Sequence, residues 1–170
     1  MQNQPALTAV DLPEIDSRAF RNALGNFPTG VAIMTAAQGG RKVGITANSF
    51  SSVSLNPALI LWSIDKRSSS YEIFSQASHF AVNMLAAEQV GLSKIFAKSG
   101  EGKFVSVKHT YGAGGAPVLF GCSSHLECEL FDQIDAGDHY VILGKVVAFT
   151  DHGLAPLVFH RGGYTSLASG

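Results

Sequence analysis

Every long apolar run in this chain is the length of a single β-strand, and no other feature limits the fold as strongly. GVAIMTAA (30–37), ALILWSID (58–65), HFAVNML (79–85), SSHLECELFDQID (123–135) and DHYVILGKVVAFTD (138–151) are separated by turn formers or short amphipathic stretches. Gly39-Gly40 predicts a hairpin from the first strand into RKVGITANSF, and Ala136-Gly137 joins the two longest strands. ALILWSID reads as a strand buried on both faces. Three short helices are foreseen. Asp16 or Ser17 caps one with Phe20, Ala23, Leu24 and Phe27 on one side, closed by Pro28; SSSYEIFSQ is a second, serine-capped one. AAEQVGLSKIFA (86–97) is the third, with Leu92, Ile95 and Phe96 along one side. The glycine-rich segment KSGEGKFVSVKHTYGAGGAP has no period and reads as a long loop of the kind that covers a site. Strands do not alternate regularly with long helices, which argues against a doubly wound parallel sheet. A mainly β, antiparallel barrel with peripheral helices fits.

The 170 residues are expected to form one domain over 1–170, with residues 1–15 as an N-terminal arm. Hydrophobic residues make up 46% and charged residues 15%, so the surface is thinly charged, and a homodimer is expected to hide part of it. A net charge of -1 gives no basic face for nucleic acid. The N-terminal segment lacks the basic and apolar regions of a secretion signal, and the apolar runs are too short to cross a membrane, so a cytoplasmic location is expected. Cys122 and Cys128 lie on one strand face, roughly 20 Å apart, and read as buried free thiols.

Two stretches invite a chemical reading. GITANSFSSVSLNPALILWSI (44–64) sets Thr46, Asn48 and Ser49 beside an apolar strand: either a turn satisfying its own backbone, or a polar edge for a flat heteroaromatic ligand. The backbone around Asn83 is a second candidate edge for such a ligand. SIDKRSSSYEIF places Lys66 and Arg67 before a run of serines: either an ordinary cap with solvated cations, or an anion site. Asp138-His139 opens a strand and is a weaker candidate. The nearest approach to a dinucleotide fingerprint, GAGGAP (112–117), ends in Pro117 and precedes a strand. The six histidines have no metal-ligand spacing, and no metal is expected.

Taken together, FRNALGNFPTGVAIMT (20–35), GITANSFSSVSLNPALILWSI (44–64), FAVNMLAAEQVGLSKIFA (80–97), GAPVLFGCSSHLECELFDQIDAGDH (115–139) and PLVFHRGGY (156–164) resemble the short-chain flavin reductase family, the reductase components of two-component flavin-dependent monooxygenases. The resemblance implies an antiparallel Greek-key split β-barrel of the FMN-binding type, usually a homodimer. It implies FMN or FAD as cofactor and NADH or NADPH as hydride donor, with reduced flavin passed to a partner oxygenase. No catalytic side chain is implied, because the hydride moves directly between the two cofactors. By the same resemblance Thr46, Ala47, Asn48 and Ser49 form the turn at the flavin ring. Ser63, Asp65, Arg67 and Ser68 hold ribityl and phosphate groups, and Asn83 lies in the flanking strand. His139, Arg161 and Tyr164 fall near the nicotinamide or the flavin's open face. The chain departs from the family at Asn56, where aspartate is common, at Thr165, where a basic residue is frequent, and in the loop VSVKHTYGAGG. A flavin-binding or flavin-delivery protein without reductase activity is the rival reading.

Overall fold

The computed structural model describes residues 14–167, so residues 1–13 of the expected arm lie outside the described residues. The chain runs α1 (Ser17–Leu24), β1 (Thr29–Gly30), β2 (Ala32–Gln38), β3 (Arg41–Ala47), β4 (Ser51–Leu55), β5 (Ala58–Asp65), α2 (Tyr71–Gln76) and β6 (His79–Met84). It continues through α3 (Val90–Ala97), β7 (His109–Tyr111), β8 (Pro117–Leu119), β9 (Ser124–Ala136), β10 (His139–Asp151), β11 (Val158–His160) and β12 (Gly163–Thr165). Seven strands form one antiparallel sheet in the order β3-β2-β6-β9-β10-β5-β4, while β1-β11-β12 and β7-β8 form small side sheets.

The two outer strands decide the shape. β3 and β4 lie at opposite edges of the seven-stranded sheet, yet only residues 48–50 separate them in the chain. Four backbone steps reach about 14 Å, whereas a flat sheet would hold its edges about 29 Å apart. The sheet therefore curls until its edges approach. Among the described residues no ladder joins β3 to β4, so the barrel is split along a seam.

Period-two alternation fills the two sides of the curl. On β2, Ala32, Met34 and Ala36 point inward to a core with Ile60, Trp62, Ile64, Phe80, Cys128 and Ile142, closed by Ile73 and Phe74 of α2. Ile33 points the other way, into a second cluster with Leu85, Phe96, Phe104, Leu119 and Cys122. Each fully buried side chain of this size contributes roughly 1.5–3 kcal/mol. The two cysteines thus lie on opposite sides of the sheet, not on one face, because Cys122 precedes β9 and only Cys128 belongs to it. Both are free and buried, and burial pushes each thiol up to about 12.

Several local expectations change. α1 stops at Leu24, before Pro28, and no described residue buries its apolar stripe: Phe20, Leu24 and Phe27 are 53%, 59% and 76% exposed. β5 alternates, with Ile60, Trp62 and Ile64 buried and the opposite face only half-buried. β4 carries three serines in five residues, a polarity that hides it as a strand in the sequence. Asn56 occupies the β4–β5 turn, with a cis peptide to Pro57. α2 has Ser70 at its N-terminus without a side-chain cap bond. On α3 the buried side chains are Ser93 and Phe96, while Ile95 faces outward. The long loop is pinned: Phe104 packs edge-on to Phe96 at 5.1 Å, and Lys103 Nζ donates to the carbonyls of Gly44 (3.1 Å) and Phe96 (3.2 Å).

Candidate functional site

The seam begins with the register of one hairpin. Gly39 and Gly40 both have positive φ (57° and 78°), which sets a two-residue turn and makes Gln38 and Arg41 a hydrogen-bonded pair. Alternation then turns the backbone N–H and C=O groups of Lys42, Gly44 and Thr46 away from β2, off the open edge. The bond from Lys103 to the Gly44 carbonyl agrees with this orientation. β3 ends in a strip of outward donors and acceptors, and the turn Asn48-Ser49 extends it with two exposed side chains. The Ser49 hydroxyl bridges the seam: Ser63 N–H donates to it at 2.9 Å, and it donates to the Ser63 carbonyl at 3.3 Å. Ala47 turns its methyl toward the inner core and, by the same alternation, its backbone groups toward Ala32 of β2.

Two residues beyond Ser63, Asp65 accepts from Arg67 N–H (2.8 Å), Nε (3.1 Å) and Nη2 (2.8 Å). These bonds, led by the guanidinium, hold the Asp65 carboxyl well below the usual carboxylate range. Ser68 N–H donates to the Asp65 carbonyl, and Ser68 Oγ accepts from Ser70 N–H, which shapes a tight turn after β5. His139 sits directly across from Asp65 on β10. Its Nδ1–H donates to Asp138 at 2.6 Å, which lowers the Asp138 carboxyl and leaves Nε2 as the free ring nitrogen.

A cleft of about 1300 Å³ opens beside the turn, walled by α1, Asn26, Phe27, Thr29, Asn48, Ser49 and the 159–162 segment. Arg161 has φ 47° and donates Nε and Nη2 to Asn26 Oδ1 at 2.8 and 2.6 Å, so its guanidinium is held in the cleft wall. Thr29 Oγ1 is buried in the same wall without a hydrogen-bond partner among the described residues. A stranded hydroxyl there fits a wall that a polar ligand completes. Tyr164 is linked to the seam through α3: its hydroxyl bonds Ser93 Oγ at 2.9 Å, and the Ser93 carbonyl accepts from Thr46 Oγ1 at 2.7 Å.

Residues 24–168 match the model of the flavin reductase like domain. The chain belongs to the flavin reductase family. It is 45% identical over 148 residues to the reductase component of a flavin-dependent trigonelline monooxygenase from Acinetobacter baylyi, covering 86% of this chain and 48% of that protein. The chain thus spans about half the length of that relative. It is 42% identical to the NADH-dependent FMN reductase SmoA of Agrobacterium fabrum, covering 88% of this chain and 85% of that one. Among solved structures, the NADH:FAD oxidoreductase SgcE6 of Streptomyces globisporus, in complex with NAD and FAD fragments, superposes with TM-score 0.87 at 33% identity, covering 94% of this chain and 98% of that one.

Within this flavin reductase fold, eleven of the twelve expected residues line the seam, the turn after β5 or the adjoining cleft, or connect to them. Asn83 does not. It is fully buried; its Nδ2 donates to the Ile33 carbonyl (2.9 Å) and Thr35 Oγ1 (3.1 Å), and its Oδ1 accepts from Leu119 N–H (2.7 Å). Its amide ties β6 to β2 and β8, and presents no free atom to the seam. Two residues were missed. Asn26 fixes Arg161, and nothing in the sequence marks it. Ser93 has a visible signal: it lies one turn before Phe96, a polar residue on the apolar side of its helix.

Proposed function

We propose that this chain is an NAD(P)H-dependent flavin reductase that reduces FMN or FAD and supplies reduced flavin to an oxygenase component. One observation carries the reading. At the split of the barrel, exposed Asn48 and Ser49 stand beside outward backbone groups of β3 and a partnerless Thr29 hydroxyl, at the mouth of a cleft large enough for two cofactors. A bound flavin supplies the hydride-accepting chemistry. The protein's task is to bind and align. Thr46, Ala47, Asn48 and Ser49 hold the ring edge, with Ser49 pinned to Ser63 so that the turn need not reorganise. Ser63, Arg67 and Ser68 hold the ribityl and phosphate groups, with Asp65 orienting Arg67. His139, Arg161 and Tyr164 position the nicotinamide nucleotide against the flavin's open face.

The exposed stripe of α1, with Phe131 and Phe149 of the long hairpin at 54% and 73% exposure, supports a homodimer. Free buried thiols, and the lack of any helix among the described residues that is long and apolar enough to cross a membrane, support a cytoplasmic location. Oxidation of NADH and NADPH by the purified protein, with FMN, FAD or neither, tests the activity. Fast flavin-dependent oxidation is expected; flavin binding without oxidation would leave a binding protein.

A further inference from the structure

Arg41 and Lys42 at the start of β3, and Lys103 in the loop after α3, take no part in the site described above. Arg41, Lys42 and Lys103 line a groove of about 450 Å³ between the open edge of β3 and the turn Ser69-Ser70; Glu101 also lines it. Among the described residues, two of these cations lack a counter-charge. Lys103 is half-buried and donates only to two backbone carbonyls, and burial without a carboxylate partner lowers its ammonium below the ordinary lysine value. Lys42 donates to Tyr111 Oη at 3.2 Å and to His109 Nε2 at 3.0 Å. His109 Nδ1 must donate to the Val107 carbonyl at 2.7 Å, so Nε2 is an acceptor and the ring is neutral. Arg41 reaches Glu72 only at 3.9 Å, in an exposed pair. By contrast, Arg67 is already bound two-pronged to Asp65. A bound anion therefore gains most from the cations of this groove.

Ser69 and Ser70, which wall the groove, follow Ser68 of the proposed phosphate site directly in the chain. We propose that Arg41, Lys42 and Lys103 form a second phosphate subsite, which takes a nucleotide phosphate lying beyond the one at Arg67 and Ser68. This rests on the flavin reading above. The chemistry matches the second phosphate of FAD, one bridging oxygen from the first; the ribose phosphate of NADPH is the other source. On this assignment FAD binds more tightly than FMN, and the difference shrinks as salt rises.

The experiment compares FMN and FAD dissociation constants by flavin fluorescence for the wild type and an Arg41→Ala/Lys42→Met double variant. Both positions are exposed, so the variant tests binding without opening the core. Loss of charge-assisted bonds is expected to weaken FAD about tenfold, with FMN affinity unchanged. A selective rise in KM for NADPH over NADH, with both flavins unaffected, would assign the same subsite to the NADPH phosphate. Equal weakening of FMN and FAD would overturn the proposal, because the cations would then serve the flavin's own phosphate. No change for any ligand would overturn it as well. A wild type that binds FMN, with neither the FAD to FMN ratio nor the KM for NADPH relative to NADH changed in the variant, refutes the second subsite alone; a wild type that binds neither flavin refutes the reading beneath it.

Discussion

The centre of the sheet and its seam treat the same amide side chain in opposite ways. On β6, Asn83 is fully buried and makes three hydrogen bonds that lock three strands together. At the end of β3, Asn48 is exposed and its amide has no hydrogen-bond partner among the described residues. The ladder explains the difference. At the centre a side-chain amide must replace every bond that water would give, and neighbouring strands provide the partners. At the seam β3 has a neighbour on one side only, and its outward backbone groups and adjoining side chains stay available. A polar residue in this fold is structural where strands surround it and available to a ligand where the ladder stops.

The sharpest test of that contrast removes the central amide. Asn83→Ala strips partners from the Leu119 N–H, the Ile33 carbonyl and the Thr35 hydroxyl, all on buried residues. The Thr35 hydroxyl keeps its bond to the Pro117 carbonyl and Ile33 keeps its ladder pairing with residue 83, so the Leu119 N–H is the group left stranded, and a loss of about 1–3 kcal/mol in urea unfolding is expected. Flavin affinity of the molecules that remain folded should not change. A stable variant that binds flavin poorly would return Asn83 to the site. The reciprocal test is Asn48→Ala, with stability expected within about 0.5 kcal/mol of wild type and flavin bound about fivefold to tenfold more weakly. Equal flavin affinity in titration would remove Asn48 from the ring edge.

The same contrast shows what the sequence made legible. Strand-length runs, the Gly39-Gly40 turn and the β9–β10 pairing follow from local chemistry: apolar alternation, positive φ and a two-residue loop. The polar run 46–49 is legible as a strand end and turn, but its hydroxyls and amide do not by themselves decide between a turn that satisfies its own backbone and an edge for a ligand. β4 was illegible since its serines deny it an apolar face, and its place at the far edge depends on the whole sheet curling. The role of the Asn83 side chain is hidden for a related reason. A buried amide and a ligand-binding amide have the same sequence, and only the partners, from β2 at Ile33 and Thr35 and from β8 at Leu119, tell them apart. The Ser93 link to Thr46 and Tyr164 likewise spans residues far apart in the chain.

The smallest effect asks whether the central network can be loosened without removing a residue from it. His125 sits opposite Asn83 on β9 and is buried; its Nε2–H donates to the Leu119 carbonyl at 2.5 Å. Its Nδ1 therefore accepts from His152 Nε2 at 3.0 Å, and protonation of His125 would set two donors against each other. Burial lowers the His125 pKa below its ordinary 6.5, helped by the neighbouring His152, while the bond to the Leu119 carbonyl and, less, Glu127 oppose the shift. The unfolded chain thus binds more protons than the folded one below pH 6.5, and stability falls as pH drops through that value toward the lower folded pKa. One proton sets a ceiling of about 1.4 kcal/mol per pH unit. Urea unfolding at pH 7.5 and pH 5.5 should show the wild type losing more stability than His125→Gln, which keeps a donor for Leu119 but does not titrate. Parallel losses in the two proteins would place the acid sensitivity elsewhere. A loss confined to the wild type would instead show that the Asn83–His125–Leu119 network is held by neutral hydrogen bonds, the condition that lets the centre stay closed while the seam stays open.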